Sequence, residues 1–326
     1  MKTIETSDFK VPTTLIEAIS FYSDEENCDR VMVATRWPNG ICCPNCGSMD
    51  VKKISTRQIR RCVDCKKQFS TKVGSIFEDS PLSLSKWLTA VWLLAGAKNG
   101  ISSCEVSRAL GVTQKTAWFM LHRIREAMAA GSFERFRGPV EADETSIGGL
   151  EKNKHRNKRT PNSQGGAGKT IVMGVLERGD ESRKSQVRAA IIANTKSATL
   201  EAEIKQTVEE FATVYTDAWR GYRGLSAEYI HQFVDHAVEY AIGQVHTNGL
   251  ENFWALLKRM LKGTYISVEP FHLSRYIDEL AYRFNRRAGT DRDRFLGVLS
   301  TISGRRLTYE DLTSSYEAFY QQALLP

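Results

Sequence analysis

Four of the seven cysteines in this 326-residue chain fall in two tight pairs, Cys43 and Cys46 in "CCPNCGS" and Cys62 and Cys65 in "RCVDC". Two C-x2-C pairs separated by fifteen residues suit a tetrahedral zinc ion held by four thiolates, each pair on a turn with a short hairpin between them. The odd total and the clustering argue for a structural metal rather than disulfides, and so for a reducing compartment. Cys42 breaks the spacing, and Cys28 and Cys104 read as small hydrophobes. A second set of chemistry-bearing residues is acidic: Asp143 in "VEADETSIGG", Asp217 in "VYTDAWRGY" and Glu251 in "HTNGLENFWALLKR". Three carboxylates gathered at one place would bind two Mg²⁺ ions roughly 3.5–4 Å apart, the arrangement that activates an attacking oxygen and stabilises a leaving one in phosphoryl transfer. Mg²⁺ prefers hard oxygen ligands, so this chemistry asks for carboxylates rather than Cys or His.

The elements that must position these acids can be read from periodicity. Leu250, Phe253, Trp254 and Leu257 follow the i, i+3, i+4, i+7 spacing of a helix lying on a core. Glu251 opens that helix beside its packed face, and Lys258 lies two turns further along the same side. Taken alone, Glu251 also fits a solvent-facing acid at a helix N-terminus. Upstream, "PVEADETSIGG", "TIVMGVLERGD" and "SQVRAAIIANT" read as strands, "SATLEAEIKQTVEEFA" as a helix, and "TVYTDAW" as a fourth strand. A short helix, "GYRGLSAEY", and a fifth strand around "IHQFVDHA" precede the Glu251 helix. That order predicts an α/β domain of RNase H-like fold, with Asp143 on the first strand and Asp217 ending the fourth. Rival ligands remain open. Glu144 should face the opposite side of its strand, whereas Glu141 shares Asp143's side and is the better alternative. Asp235 is either a fourth ligand or a surface acid. His246 orients water, contacts a phosphate or caps the helix entry, and Asn248 follows it closely. Trp219, Phe253 and Trp254 read as core. "GGAGKT" (165–170) lacks the first P-loop glycine and precedes a strand, which excludes nucleotide binding there.

The N-terminal part reads as DNA recognition. Residues 1–40 form a helical lead-in with Leu15, Ala18, Ile19 and Tyr22 on one face, and a ribbon spans 41–80. Between Lys52 and Lys72 stand eight Lys and Arg against the single acid Asp64, a density that fits phosphate contact. Across 81–135, "SLSKWLTAVWLLAGAKNG" is a helix ending at Asn99-Gly100. It is followed by a helix-turn-helix: Ser103–Leu110, a turn at Gly111-Val112-Thr113, then a helix from Gln114 to Met128. Val106, Leu110, Val112, Ala117 and Met120 would form its core, and Thr113, Gln114 and Lys115 would open the recognition helix. Residues 1–130 are expected to bind DNA by themselves. Lys152, Lys154, Arg156, Lys158 and Arg159 crowd a loop after the first strand, and Arg156 and Arg159 are DNA-contact candidates. The formal net charge of +7 suits a polyanionic partner. No apolar run is long enough to span a membrane, and the first residues lack a signal peptide's apolar region, so a cytoplasmic, nucleoid-associated protein is expected.

Taken in order, "RWPNGICCPNCGS", "RCVDCKKQFS", "VEADETSIGG", "VYTDAWRGY", "HTNGLENFWALLKR" and "YIDELAYRFNRR" resemble the bacterial insertion-sequence transposases of the DDE type that carry an N-terminal zinc ribbon and an ISXO-like catalytic domain. The resemblance covers nearly the whole chain. It implies that Asp143, Asp217 and Glu251 are the catalytic acids binding Mg²⁺ or Mn²⁺, and that Lys258 touches DNA phosphate or a terminal base. It implies a catalytic domain over 136–326 with a helical C-terminal extension. It also implies double-stranded DNA as partner, both transposon ends and target, handled by a homodimer or higher oligomer. The competing expectations are a transcription regulator with an inert catalytic domain, against which the intact acid set argues, and a structure-specific nuclease of the same fold.

Overall fold

The computed structural model describes residues 10–54, 57–129, 134–149, 169–217, 220–234 and 245–314. The chain divides into two compact units, one made of Met1–Ala130 with Arg286–Pro326, the other of Gly131–Asn285.

In the first unit, helices α1 (Leu15–Tyr22) and α2 (Glu25–Arg36) precede a three-stranded antiparallel ribbon, β1 (Val51–Ile54), β2 (Ile59–Cys62) and β3 (Gln68–Phe69). Thr14 and Glu17 cap α1 reciprocally, a capping box that fixes where the helix starts. The α1 face is narrower than its periodicity predicts. Ala18 and Tyr22 are buried, while Leu15 and Ile19 are exposed. α2 is part of the ribbon's foundation, because its Asp29 forms a two-pronged ion pair with Arg60 of β2, both nearly fully buried. Arg60 is therefore not available to DNA. Nor is Lys72, whose ammonium donates to the carbonyls of Ser80 and Leu82. The other six basic residues of that stretch are exposed.

Helices α3 (Leu84–Gly96), α4 (Ser103–Leu110) and α5 (Gln114–Met128) follow. The α4–α5 turn is built as its residues demand. Gly111 sits at φ +60, in the left-handed region that glycine enters without steric cost, and Thr113 caps α5 by accepting from the Thr116 N–H. Val106, Ala117 and Met120 are fully buried between the two helices, with Leu110 and Val112 half-buried at the edge.

The second unit is a five-stranded sheet ordered β6-β5-β4-β7-β8. Its strands are β4 (Val140–Ile147), β5 (Thr170–Glu177), β6 (Gln186–Ile192), β7 (Thr213–Asp217) and β8 (Ile230–Val234), with α6 (Ser197–Thr207) between β6 and β7. β4, β5 and β6 are antiparallel, whereas β7 and β8 run parallel to β4. This is the RNase H-like topology. One face packs Val140, Ala142, Met173 and Val175 against Leu200 and Ile204 of α6 and Tyr222 and Leu225 of a 3-10 turn. The other packs Val172, Leu176 and Val187 against α7 (Asn248–Met260) and α8 (Leu273–Asn285). Leu250, Phe253, Trp254 and Leu257 are all buried there, the stripe their spacing predicts.

The chain past Asn285 belongs to the first unit, not to a catalytic domain running to 326. α9 (Asp291–Leu299) buries Phe295 completely, with its ring 5.4 Å from Tyr22 of α1 and 5.1 Å from Trp92 of α3. Downstream, Arg305 donates to the Glu126 carbonyl at the end of α5 and Thr301 to that of Ala127. A fragment ending at Ala130 therefore lacks part of its own core, contrary to the expectation that it stands alone. Phe295→Ala should destabilise the first unit by roughly 3–5 kcal/mol, the usual result of emptying a fully buried aromatic site. Calorimetry of the full chain should show one transition moving down while that of the 131–285 unit stays in place.

Candidate metal centre and active site

The ribbon gathers its four thiols as the spacing predicts. Cys43 Sγ lies 3.7 Å from Cys65 Sγ, and Cys46 Sγ 3.6 Å from Cys62 Sγ. All four sulfurs lie within 4.8 Å of one another. Four ligands on a tetrahedron with Zn–S bonds of about 2.3 Å would stand about 3.8 Å apart, so the thiols fit one zinc ion. Around them pack Phe69, Trp37, Ile41, Val51 and Val73, a core too small to hold a fold without a staple. On the outer hairpin Lys52 pairs directly with Arg61 across β1 and β2, both exposed. Like charges in that position oppose each other.

In the second unit the strand register brings two of the acids side by side. β4 and β7 pair Val140 with Val214 and Glu141 with Tyr215, and two further steps along both strands reach Asp143 and Asp217. Residues two apart on a strand share a face, so Glu141, Asp143, Tyr215 and Asp217 all point toward α7. Glu251 stands in the first turn of α7, exposed, immediately after buried Leu250. Burial pushes the Asp143 carboxyl up to about 6. The nearby charges of Asp217 and Glu251 push the same way, against the stabilising hydrogen bond from Trp254. Asp143 thus lies within electrostatic reach of both Asp217 and Glu251. The three acids are not drawn as close as the thiols, which are the only metal-ligating cluster of that tightness among the described residues.

Residues read only as packing prove to shape this site. Trp254 Nε1 donates to Asp143 Oδ2 at 2.9 Å. The signal was available: Trp254 is one turn after Glu251 on the same side, and a buried indole N–H needs an acceptor. Gly174 sits opposite Asp143 in the β4–β5 ladder, and a Cβ there would come within 2.8 Å of Leu250 and of the Trp254 ring. Glycine is what lets the indole lie on the sheet beneath the acid. Glu144 does face the opposite side, where Tyr222 donates to it at 2.5 Å and burial raises it to about 7. Glu141, the rival ligand, has both oxygens engaged: Arg178 Nε donates to one at 2.9 Å and the Leu250 N–H to the other at 3.0 Å. His246 lies at the helix entry with Nδ1 3.0 Å from Arg178 Nη2, and Asn248 is exposed at the first residue of α7. Lys258 is exposed two turns after Glu251. At the head of α5, Gln114 donates to Ser103 Oγ and Lys115 lies over the Tyr309 ring, both at exposed positions. Lys152, Lys154, Arg156, Lys158, Arg159, Trp219 and Asp235 lie outside the described residues.

A sheet of RNase H-like topology with two acids in register on adjacent strands and a third on the helix packed over them, in a chain that also carries a four-thiol ribbon, makes this an RNase H-like protein with a metal-ribbon module. Comparison with known proteins narrows it. Residues 135–285 match the ISXO2-like transposase domain and residues 23–68 the transposase zinc-ribbon domain, a span that includes α2 and its Asp29–Arg60 pair. An uncharacterized protein in transposable element ISH50 of Halobacterium salinarum is 27% identical over 257 residues, covering 74% of this chain and 85% of the relative. An uncharacterized transposase-like protein of Haemophilus influenzae is 33% identical over 103 residues, 31% of this chain and 83% of that protein. The chain belongs to the family of insertion-sequence transposases with a zinc ribbon and an ISXO2-like DDE domain. Among the described residues no helix is long and apolar enough to cross a membrane.

Full-length protein is expected to carry one zinc per chain by elemental analysis. Cys43→Ser should lose it and melt the ribbon hairpin, leaving the 131–285 unit with its native circular-dichroism transition.

Proposed function

We propose that this transposase binds the ends of its element in duplex DNA, hydrolyses the phosphodiester there, and uses the freed 3′-OH to attack a phosphodiester of target DNA. In each step an oxygen displaces another at phosphorus in line, so one P–O bond forms as one breaks and no covalent enzyme intermediate is needed. The observation that carries the reading is the strand register that sets Asp143 beside Asp217 on the α7 face of the sheet, with Glu251 in the first turn of the helix packed there. Three oxygen donors without a thiol among them suit Mg²⁺ or Mn²⁺, and a buried carboxyl made hard to ionise by two others is one that a divalent cation would favour as its anion. When bound there, the metal supplies Lewis-acid stabilisation of the charge that develops on the phosphate oxygens.

The chain's own residues do the rest. Trp254 fixes the Asp143 carboxylate from below, and the buried face of α7 fixes the backbone that carries Glu251. Lys258 offers a cation to the DNA backbone on the same side of that helix. The exposed ribbon lysines and arginines bind phosphate, and the opposed Lys52 and Arg61 are relieved by a polyanion laid across them. Thr113, Gln114 and Lys115 at the head of α5 read base edges. Two ends must be held together for the reaction, so the working form contains at least two copies of the chain.

Glu251→Gln keeps the shape of the side chain and removes its charge. The variant should fold and bind end DNA normally, while Mg²⁺-dependent cleavage of a terminal-repeat duplex falls by several orders of magnitude. Full activity in this variant would sink the assignment of the acids. Replacing Gln114 and Lys115 with alanine should relax discrimination between end and random duplex by about 1–3 kcal/mol per lost base contact, with little change in non-specific affinity. Unchanged discrimination in a binding titration would place recognition elsewhere.

A further inference from the structure

Glu141 is a carboxylate on the α7-facing side of β4 whose two oxygens each accept a hydrogen bond. It is only 2% exposed, and Arg178 and the Leu250 N–H occupy its two oxygens. Arg178 reaches in three further directions. Its Nη2 donates to the His246 carbonyl at 2.7 Å and lies 3.0 Å from His246 Nδ1, and its guanidinium covers the Tyr215 ring at 4.2 Å. His246 Nδ1 is also 3.5 Å from Glu141. Gly249 keeps the approach open, since a Cβ there would lie 2.8 Å from Glu141 Oε2.

The positions of these contacts along the chain give them meaning. Glu141 is two residues before Asp143 on the same face of β4. Tyr215 is two residues before Asp217 on the same face of β7. Leu250 is the residue immediately before Glu251 in α7. One largely buried ion pair thus touches side chain or backbone within two residues of each of the three acids, although they come from two strands and a helix.

We infer that Glu141 and Arg178 are a positioning pair that sets the relative placement of Asp143, Asp217 and Glu251 for metal binding. This rests on the reading of those three as metal ligands. The pair works by geometry, not by contact with metal or substrate. Partners that orient ligands in this way typically contribute 10–100-fold to metal affinity or activity. The guanidinium fork is essential to the role, because a lysine ammonium cannot meet Glu141, His246 and the Tyr215 ring at once. Glutamine at 141 can still accept from the Leu250 N–H but leaves Arg178 without its counter-charge.

The test uses the full-length, zinc-loaded chain and four variants: Glu141→Gln, Arg178→Lys, Arg178→Met and the double Glu141→Gln/Arg178→Met. Mn²⁺ binding is followed by the electron paramagnetic resonance signal of free Mn²⁺, below the melting temperature of every variant. Glu141→Gln and Arg178→Met should raise the Mn²⁺ dissociation constant at least tenfold while end-DNA affinity stays within about twofold. Arg178→Lys should recover part of the loss. The double variant should lose no more than the worse single one, because the two residues act as a unit. Should Glu141→Gln fail to fold, Arg178→Lys and Arg178→Met, which leave Glu141 in place, carry the same measurement. A lowered melting temperature with a wild-type Mn²⁺ curve in the folded variants would reduce the pair to a stability element and overturn the inference. Glu251→Gln run in parallel separates the two ideas. If it abolishes cleavage while the Glu141 and Arg178 variants bind Mn²⁺ normally, only the positioning role fails; if it leaves cleavage intact, the reading of the acids fails first.

Discussion

Carboxylates of like charge repel, and Asp143, already disfavoured by burial, lies near both Asp217 and Glu251. That constraint organises the second unit. The opposing contribution comes from α7, whose Leu250, Phe253, Trp254, Leu257 and Met260 are buried against the sheet and α8. At roughly 1.5–3 kcal/mol for each such side chain, an upper estimate, their burial exceeds the few kcal/mol that close carboxylates cost at an effective dielectric near 20. The packed face of the helix therefore fixes where Glu251 stands. The same logic explains Gly174 and the Trp254 indole, which let the apolar contact and the hydrogen bond to Asp143 coexist at one point of the sheet.

Much of this was legible in the residues because it is local. Cysteine spacing reports a metal ribbon, since two short turns fix where the thiols point. The Gly111 turn and the α7 stripe are legible because periodicity and positive-φ tolerance act within a few residues. The strand order followed from the elements, and with it the fold. What escaped was tertiary. Nothing near Glu141 says that Arg178, thirty-seven positions on, will pair with its charge. Arg60 and Lys72 sit among basic neighbours and read as a phosphate surface, yet Asp29, thirty-one positions upstream, claims the first, and backbone carbonyls eight and ten positions on, which no pattern marks, claim the second. Leu15 and Ile19 have helical spacing, but only half of that face meets a partner.

The first unit shows how a small metal module acquires rigidity. The ribbon's own core is a handful of side chains around two buried cysteines. Its tie to α2 through the buried Asp29–Arg60 pair is costly to desolvate and costly to break, because removing either partner strands a charge in the interior. The Arg36 guanidinium adds donors to the carbonyls of Thr71 and Val73 from the end of the same helix. An exposed, electropositive hairpin thus stands on a fixed base, so phosphate contact need not be preceded by ordering of the ribbon.

The path of the chain through its two units has a consequence for the order of synthesis. The chain leaves the first unit after Ala130, completes the second by Asn285, and only then returns to supply α9. A ribosome therefore delivers the whole sheet with its acids before it delivers the aromatic ring that closes the core around Tyr22 and Trp92. Until that segment emerges, Tyr22 and Trp92 lack the aromatic ring that packs on both. The unit that carries the zinc ribbon is thus begun first and finished last, with the RNase H-like fold completed in between.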